Sequence, residues 1–473
     1  MSLAPRRVER QNMKKYILLI IACLTVPTLA QDWPTYRHDN QRSGTTDAVL
    51  TLPLSQTWQY VSPTPPQRAW AGPAKWDAYA ELADQRSMRD FDPAFYVTFA
   101  HNKVYFGSSV DDSVHCLDGD TGEHLWQFRT EGPVRIPPTL HRGKTYFGSD
   151  DGAVYCVDAH TASLIWTYRA VDNNKLIAFN GKLISQWPCR SGVLIQDDKA
   201  YFTLSLLPWA PSYICAVNAE DATVIYKTEH RALTAQAAML ASPTRLYMPQ
   251  GRQRPVVCDL TDGTLMGVFG KSGQGGTFAL LTPENKLVHG VGQNHSSGGE
   301  LRSFNTDNRD HIATFPTATC MVVKGGKAWF CNYQELIALD RANYMALQTQ
   351  IAANNKELGG INARLKKLKD QTNVETRVLN QTKLDLTRKN KEFTVRAQTC
   401  FMWKKNVGVL NTLICAGDML YAGGENSVFA FSVADGSLVW QAEVDGKVYG
   451  LAIANKKLLV STDTGSIFCF ENK

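Results

Sequence analysis

KVYFGSSVDDSVHCLDGDTGEHLWQF (Lys103–Phe128) and KTYFGSDDGAVYCVDAHTASLIWTY (Lys144–Tyr168) are two copies of one pattern. In the first, Asp118, Thr121, Gly122 and Trp126 form D-x-x-T-G-x-x-x-W. In the second, Asp158, Thr161, Ala162 and Trp166 take the same places, with the two tryptophans forty residues apart. Weaker copies follow at Asn218, Asp221 and Tyr226, at Asp259, Asp262 and Gly263, and at Ser432, Asp435, Gly436 and Trp440. One more copy is split, with Asp340 far upstream of Trp403.

Each copy reads as short alternating strands separated by Gly, Asp and Asn turns, the pattern of a four-stranded antiparallel unit. Such a unit cannot bury both of its faces alone. A period near forty with one aromatic per repeat therefore predicts blades packed around an axis. Strand sets begin near Phe95, Ile136, Val193, Ala238, Phe278, Cys320, Leu413 and Leu451. The last set stops after GSIFCF, one strand short, while LSQTWQY from Leu54 is an unpaired strand carrying Trp58. The expectation is an all-β, eight-bladed propeller of four-stranded antiparallel blades. Its N-terminal strand completes the last blade and removes the exposed sheet edge.

The split copy holds an insertion. Leu347, Ile351, Leu358, Ile361, Leu365 and Leu368 follow a heptad-like seam, with Asn354 at the missing core position, and Leu379, Leu386 and Phe393 recur at sevens. An α-helical hairpin, a short coiled coil in blade six, is expected over residues 341–399. It should reach on the order of 35–40 Å from the turn face. Twelve Lys and Arg against five Asp and Glu give this arm +7, and residues 1–30 carry +4, so the stated net charge of +6 leaves −5 for the propeller body. A basic arm on an acidic disc points to an acidic partner protein, an anionic glycan or peripheral contact with a membrane.

MKKYILLIIACLTVPTLAQ, from Met13, pairs two lysines with an apolar run and a T-L-A end at Ala30, as a secretory signal peptide does. The run is too short to span a bilayer. Residues 1–30 are thus read as leader, with the true start at Met13 an alternative. The propeller occupies residues 31–340 and 400–473. Periplasmic or secreted localisation follows, nucleic acid is excluded as a partner, and IIAC ending at Cys23 offers lipoprotein anchoring as the other reading. Ten cysteines lie outside the leader. Cys116, Cys156 and Cys469 share one third-strand position and read as small buried hydrophobes. Cys320 with Cys331, or Cys400 with Cys415, are positioned to pair across neighbouring strands. No C-x-x-C pair has a matching partner, so no metal site is expected.

The D-x-x-T-G-x-x-x-W turns resemble those of the pyrroloquinoline-quinone-like (PQQ-like) β-propeller repeat family, over roughly residues 32–473 outside the arm. That family includes quinoprotein alcohol dehydrogenases and the propeller lipoprotein of the outer-membrane assembly machinery. DWPTYRHDNQRSG, from Asp32, also resembles the opening of many envelope members. The resemblance implies a structural motif in which the acidic side chain and turn of one blade dock with the tryptophan of the next. It assigns blade docking to Asp118, Gly122, Trp126, Asp158, Trp166, Asp340, Trp403, Gly436 and Trp440. In the dehydrogenase branch, adjacent cysteines cover a quinone, a tryptophan floors it and a calcium ion polarises it. This chain has no Cys-Cys dipeptide and no C-x-x-C-H, so no catalytic residue is carried over.

Long links and second-to-third strand loops should gather on the face opposite the motif turns. They hold Trp70, Trp76, Arg86, Arg89, Asp90, Trp187, Arg190, Trp209, Arg252 and Arg254. Tryptophans and arginines converging over a channel mouth suit an anionic or carbohydrate ligand; equally, they can pack as a lid. The functional expectation is a non-catalytic envelope or secreted scaffold for a partner protein or glycan, without a cofactor. The alternative is a quinone-binding oxidoreductase using PQQ with calcium at that mouth.

Overall fold

The computed structural model describes residues 32–70, 89–271, 274–290, 300–368 and 373–472. Among them the strands form six four-stranded antiparallel sheets, one eight-stranded sheet and one two-stranded hairpin. In chain order the four-stranded sheets span Val97–Arg129, Thr139–Arg169, Leu194–His230, Leu240–Val268, Phe278–Pro316 and Cys320–Asn406, the first to sixth sheets below. In the first sheet, strands Lys103–Ser108 and Ser113–Asp118 are almost wholly buried, while the outer His124–Arg129 is half exposed. Inner strands covered on both faces need continuous apolar runs, which is why FGS and VHCL interrupt the alternation there.

In the eight-stranded sheet, the short strand Thr45–Thr46 pairs parallel with Thr412–Ala416, and Met419–Gly423 and Glu425–Ser432 follow in order onto Leu438–Ala454. That seventeen-residue strand runs on to pair with Lys457–Thr462, followed by Ser466–Glu471 and finally Ser55–Val61. Two four-stranded units expected to be separate are thus joined by an unbroken strand. The N-terminal strand pairs antiparallel with the C-terminal one, Ser55 opposite Glu471 and Tyr60 opposite Ile467. The hairpin Leu176–Phe179 with Lys182–Ser185, between the second and third sheets, was not foreseen.

Docking between sheets repeats. Trp126 Nε1 donates to the Ala159 carbonyl at 3.2 Å, Trp166 to Ala219 at 3.0 Å, Trp403 to Val433 at 3.2 Å, Trp440 to Leu54 at 2.9 Å and Trp58 to Gly119 at 3.0 Å. The tryptophan of one sheet therefore sits on the turn of the following sheet. The acidic side chain does not reach the indole; it closes its own turn, Asp118 Oδ1 accepting from the Asp120 and Thr121 amides and Asp158 Oδ1 from His160 and Thr161. A carboxylate is best placed to satisfy amides two and three residues ahead of it, leaving the next carbonyl for the indole. Gly122 and Gly436 lie under the rings: φ is +73° and +70°, and a Cβ there would come within 2.6 Å of Trp58 and 2.7 Å of Trp403. From the third to the fourth sheet the aromatic is Tyr226, over Gly263. From the fourth to the fifth, Arg245 Nη1 takes over by donating to the Thr306 carbonyl at 2.7 Å.

Residues 33–44 tie the sheets together. Trp33 exchanges backbone hydrogen bonds with Phe99, Pro34 O accepts from Leu140, Asn40 reaches Ile195 and Ala241, Gln41 O accepts from Leu281, and Gly44 O accepts from Cys415. Arg37 donates to Met321 O at 3.0 Å and Arg42 to Met239 O at 2.9 Å. A dozen residues can touch the first strands of so many sheets only where those strands converge, so this segment is a plug at the axis. It lies at the turn face: register places the first-to-second turn beside the motif turn, Ala100 opposite Lys103 and Lys103 opposite Asp118.

The insertion forms two helices, α1 (Arg341–Lys367) and α2 (Val374–Gln398). Asp340 explains its position. The carboxylate that closes a tight turn elsewhere here accepts from the Asn343 amide as the N-cap of α1, so one side chain starts either structure. Tyr344, Leu347, Ala397 and Cys400 join the core between the fifth and sixth sheets. Asn354 Nδ2 donates to Asn390 Oδ1 at 2.8 Å across the helix pair, a polar pin that fixes register. The arm does not stand clear along its whole length. Lys356 Nζ comes to 3.9 Å from Asp310 of the fifth sheet, so only the part beyond it projects, about 17 Å at the helical rise. No helix among the described residues is long and apolar enough to cross a membrane.

Candidate functional site

On the face opposite the plug, the links do converge, around a buried charge network. Arg135 Nη1 meets Asp92 at 2.6 Å and its Nε meets Asp150 at 2.7 Å; Arg190 binds Asp150 through Nε at 2.9 Å and Nη2 at 2.7 Å. All four side chains are essentially inaccessible. Burial pushes Asp150 upward, but Arg135 and Arg190 outweigh it and hold the carboxyl down at about 2. Asp92 also accepts the Ala69 amide with both oxygens, and its pair with Arg135 fastens the link before the first sheet to the one before the second.

Aromatic rings cover this network. Trp70 lies between Arg89, 4.1 Å from its ring centre, and Arg190, 5.9 Å away, while Phe179 meets Trp70 edge-on and takes Arg190 at 5.0 Å. Trp70 Nε1 donates to Gln236 Oε1 at 3.1 Å. Asp90 pairs with Arg68 at 3.0 Å. The structure thus brings Trp70, Arg89 and Arg190 together and adds Arg135, Asp92, Asp150, Phe179 and Gln236. Sequence reasoning missed these because isolated charges in VRIPP, FDP and GSDDG carry no periodic signal. Phe179 comes from the unforeseen hairpin.

The other predicted residues sit apart from this stack. Trp187 is buried between the second and third sheets and donates to Pro211 O at 2.7 Å. Arg254 donates to Gly270 O at 3.3 Å, and Arg252 is half-buried beside it in the fourth-sheet turn. Trp209 is 79% exposed. Trp76 and Arg86 lie outside the described residues. On the turn face, a cleft of about 590 Å³ opens beside the plug at Asp39, Thr46 and Lys324, and another of about 550 Å³ at the arm root. Cys320 and Cys331 face each other across strands with Sγ atoms 3.0 Å apart.

Comparison with known proteins places this architecture. A family model described as outer membrane protein assembly factor BamB matches residues 76–186. The crystal structure of BamB from Moraxella catarrhalis superposes with a TM-score of 0.52 at 12% identity, covering 89% of this chain and 100% of that one. The family model covers one stretch of the chain, and the solved structure shares its β-propeller fold. This propeller also matches the quinohemoprotein alcohol dehydrogenase of Comamonas testosteroni, with a TM-score of 0.57 at 10% identity over 93% of this chain and 80% of that one. The enzyme ADHIIG of Pseudomonas putida HK5 gives 0.56 at 8% over the same shares. No curated protein matches the sequence.

The dehydrogenase branch implies a quinone with calcium, and the donor set of this propeller does not fit that pair. Asp92 and Asp150, the buried carboxylates at the mouth, are each bound to arginine, and a guanidinium in contact with a carboxylate repels a dication from it. Among the described residues no cluster of three His, Cys, Asp or Glu has the spacing of a metal site. The arrangement instead locks the links: Asp150 is shared by Arg135 and Arg190, Asp92 takes Arg135 and the Ala69 amide, and Arg190 lies against the Phe179 ring.

Proposed function

We propose that this PQQ-like propeller is an eight-bladed closed ring, exported through a leader at residues 1–30, that serves the cell envelope as a non-catalytic scaffold binding a partner protein through its link face. The eighth blade consists of the end of Leu438–Ala454, the two strands after it and Ser55–Val61, and Trp58 on Gly119 closes the circle onto the first sheet. The observation that carries the scaffold reading is the Arg135–Asp150–Arg190 network, which commits Asp92 and Asp150 to structure, while Trp209 stands exposed in a separate loop. Tryptophan is among the residues most enriched at binding hot spots. The family model's own description, an assembly factor of the outer membrane, supports a protein partner over a glycan. On this reading the mature protein is periplasmic, soluble after cleavage at Ala30 or anchored if Cys23 is lipidated.

The test is site-specific photo-crosslinking in the producing cell, with the reactive group at Trp209, at Gln253 of the fourth-sheet turn, and at Val439 of the outer rim. One discrete envelope-protein adduct from the first two positions and none from Val439 supports the reading. The same adducts from all three positions, or none from any, defeats it.

A further inference from the structure

We infer that the turn face is apposed to a membrane and that the distal end of the arm seats on anionic lipid headgroups. Two separate segments place chain features on this one face. Asp32 and Trp33 begin the plug, with Trp33 paired to Phe99 two residues before the His101–Asn102 turn. The arm leaves the same face at Asp340 and returns to it at Cys400.

The far end of the arm has the composition of an interfacial segment. Arg364, Lys366 and Lys367 form the exposed last turn of α1, and Arg377 is exposed in the first turns of α2. Beside them Val374 is 76% and Val378 57% exposed. Cations that can reach lipid phosphates, next to aliphatic side chains that can enter the headgroup boundary, match the chemistry of such a surface. The propeller body carries the opposite sign, since removing the arm and residues 1–30 leaves it at −5. An anionic surface would thus attract the arm, repel the disc and orient the molecule with its link face outward. An acidic protein would satisfy the cations equally, but it would not account for the exposed valines. This inference stands without the scaffold reading, because its test contains no protein partner.

The experiment is flotation of residues 31–473 with phosphatidylcholine vesicles, with and without phosphatidylglycerol, at low and high salt. Co-flotation is expected with the anionic vesicles only, and high salt should release the protein. R364Q/K366Q/K367Q should lower partitioning roughly a hundredfold, at about fivefold per cation, with circular dichroism unchanged. Arg252→Gln with Arg254→Gln, on the opposite face, should leave binding intact. Failure of the folded protein to float with anionic vesicles overturns the proposal. Equal loss from the link-face pair, or none from the arm triple, does so too.

Discussion

Replacing Asp150 by Asn removes one charge from between two buried guanidinium groups. In the native protein Arg190 binds both carboxylate oxygens and Arg135 shares one of them. An amide in that place offers a single acceptor and turns its NH₂ toward a cation. Removing one partner of a buried ion pair costs about 3–5 kcal/mol, because the remaining charge stays buried. The titration of Asp150 gives a consistent scale: a carboxyl held at about 2, against roughly 4 in an unfolded chain, contributes about 2–3 kcal/mol. Guanidinium unfolding followed by tryptophan fluorescence at pH 7 should therefore show a loss of about 3–5 kcal/mol for Asp150→Asn. Asp172→Asn, at an exposed position, should leave the midpoint where it is. Because the folded pKa is depressed, the contribution is fully present above about pH 4 and is lost as pH falls toward about 2. The gap between wild type and variant should be flat from pH 5 to 8 and should shrink below pH 4. A loss under about 1 kcal/mol, or a gap that changes near neutrality, would refute the argument that this network locks the links.

Other outcomes follow from single contacts. Gly122→Val combines a left-handed backbone with displacement of Trp58 and should cost about 2–4 kcal/mol. Gly143→Val has a similar φ of +74° but open space around it and should cost only about 1–2 kcal/mol, so comparing the two melts isolates the docking contact. Cys320 and Cys331 are opposed on adjacent strands, whereas Cys400 belongs to the arm-root core and Cys415 to the next interface. Alkylation of denatured protein after oxidation by a glutathione couple should find the first pair protected and Cys400 and Cys415 labelled. Asp340→Ala removes the N-cap of α1, at about 1 kcal/mol, and should raise hydrogen exchange at Asn343 while leaving the sixth sheet protected.

The sequence was most informative where one chemical need recurs. Where an indole docks on the next turn and an acid closes its own turn, the same residues recur, so Asp118, Trp126, Asp158 and Trp166 stand out at fixed spacing. The arm was legible for a related reason, since Leu347, Ile361 and Leu386 follow the helical period and their side chains are buried. Unique contacts were not legible. Much of the plug works through backbone groups of Pro34, Gln41 and Gly44, which leave no side-chain pattern, and its side chains Arg37, Asn40 and Arg42 bond to backbone carbonyls of distant strands. The lean of the arm joins residues far apart in sequence, Tyr344 with Phe315, Arg341 with Glu284 and Lys356 with Asp310. At the mouth, Trp70, Arg89 and Arg190 were visible as residue types suited to a ligand. Their partners Asp92, Asp150 and Phe179 come from three other segments, and only the fold brings them to the same place.

The central claim, a scaffold whose buried acids serve structure, is tested most directly by calorimetric titration of the chain from residue 31 onward with pyrroloquinoline quinone and calcium. The account predicts no saturable heat from folded protein. Saturable binding at micromolar affinity or tighter would contradict it, and would mean that the Asp150 network opens to admit a cofactor.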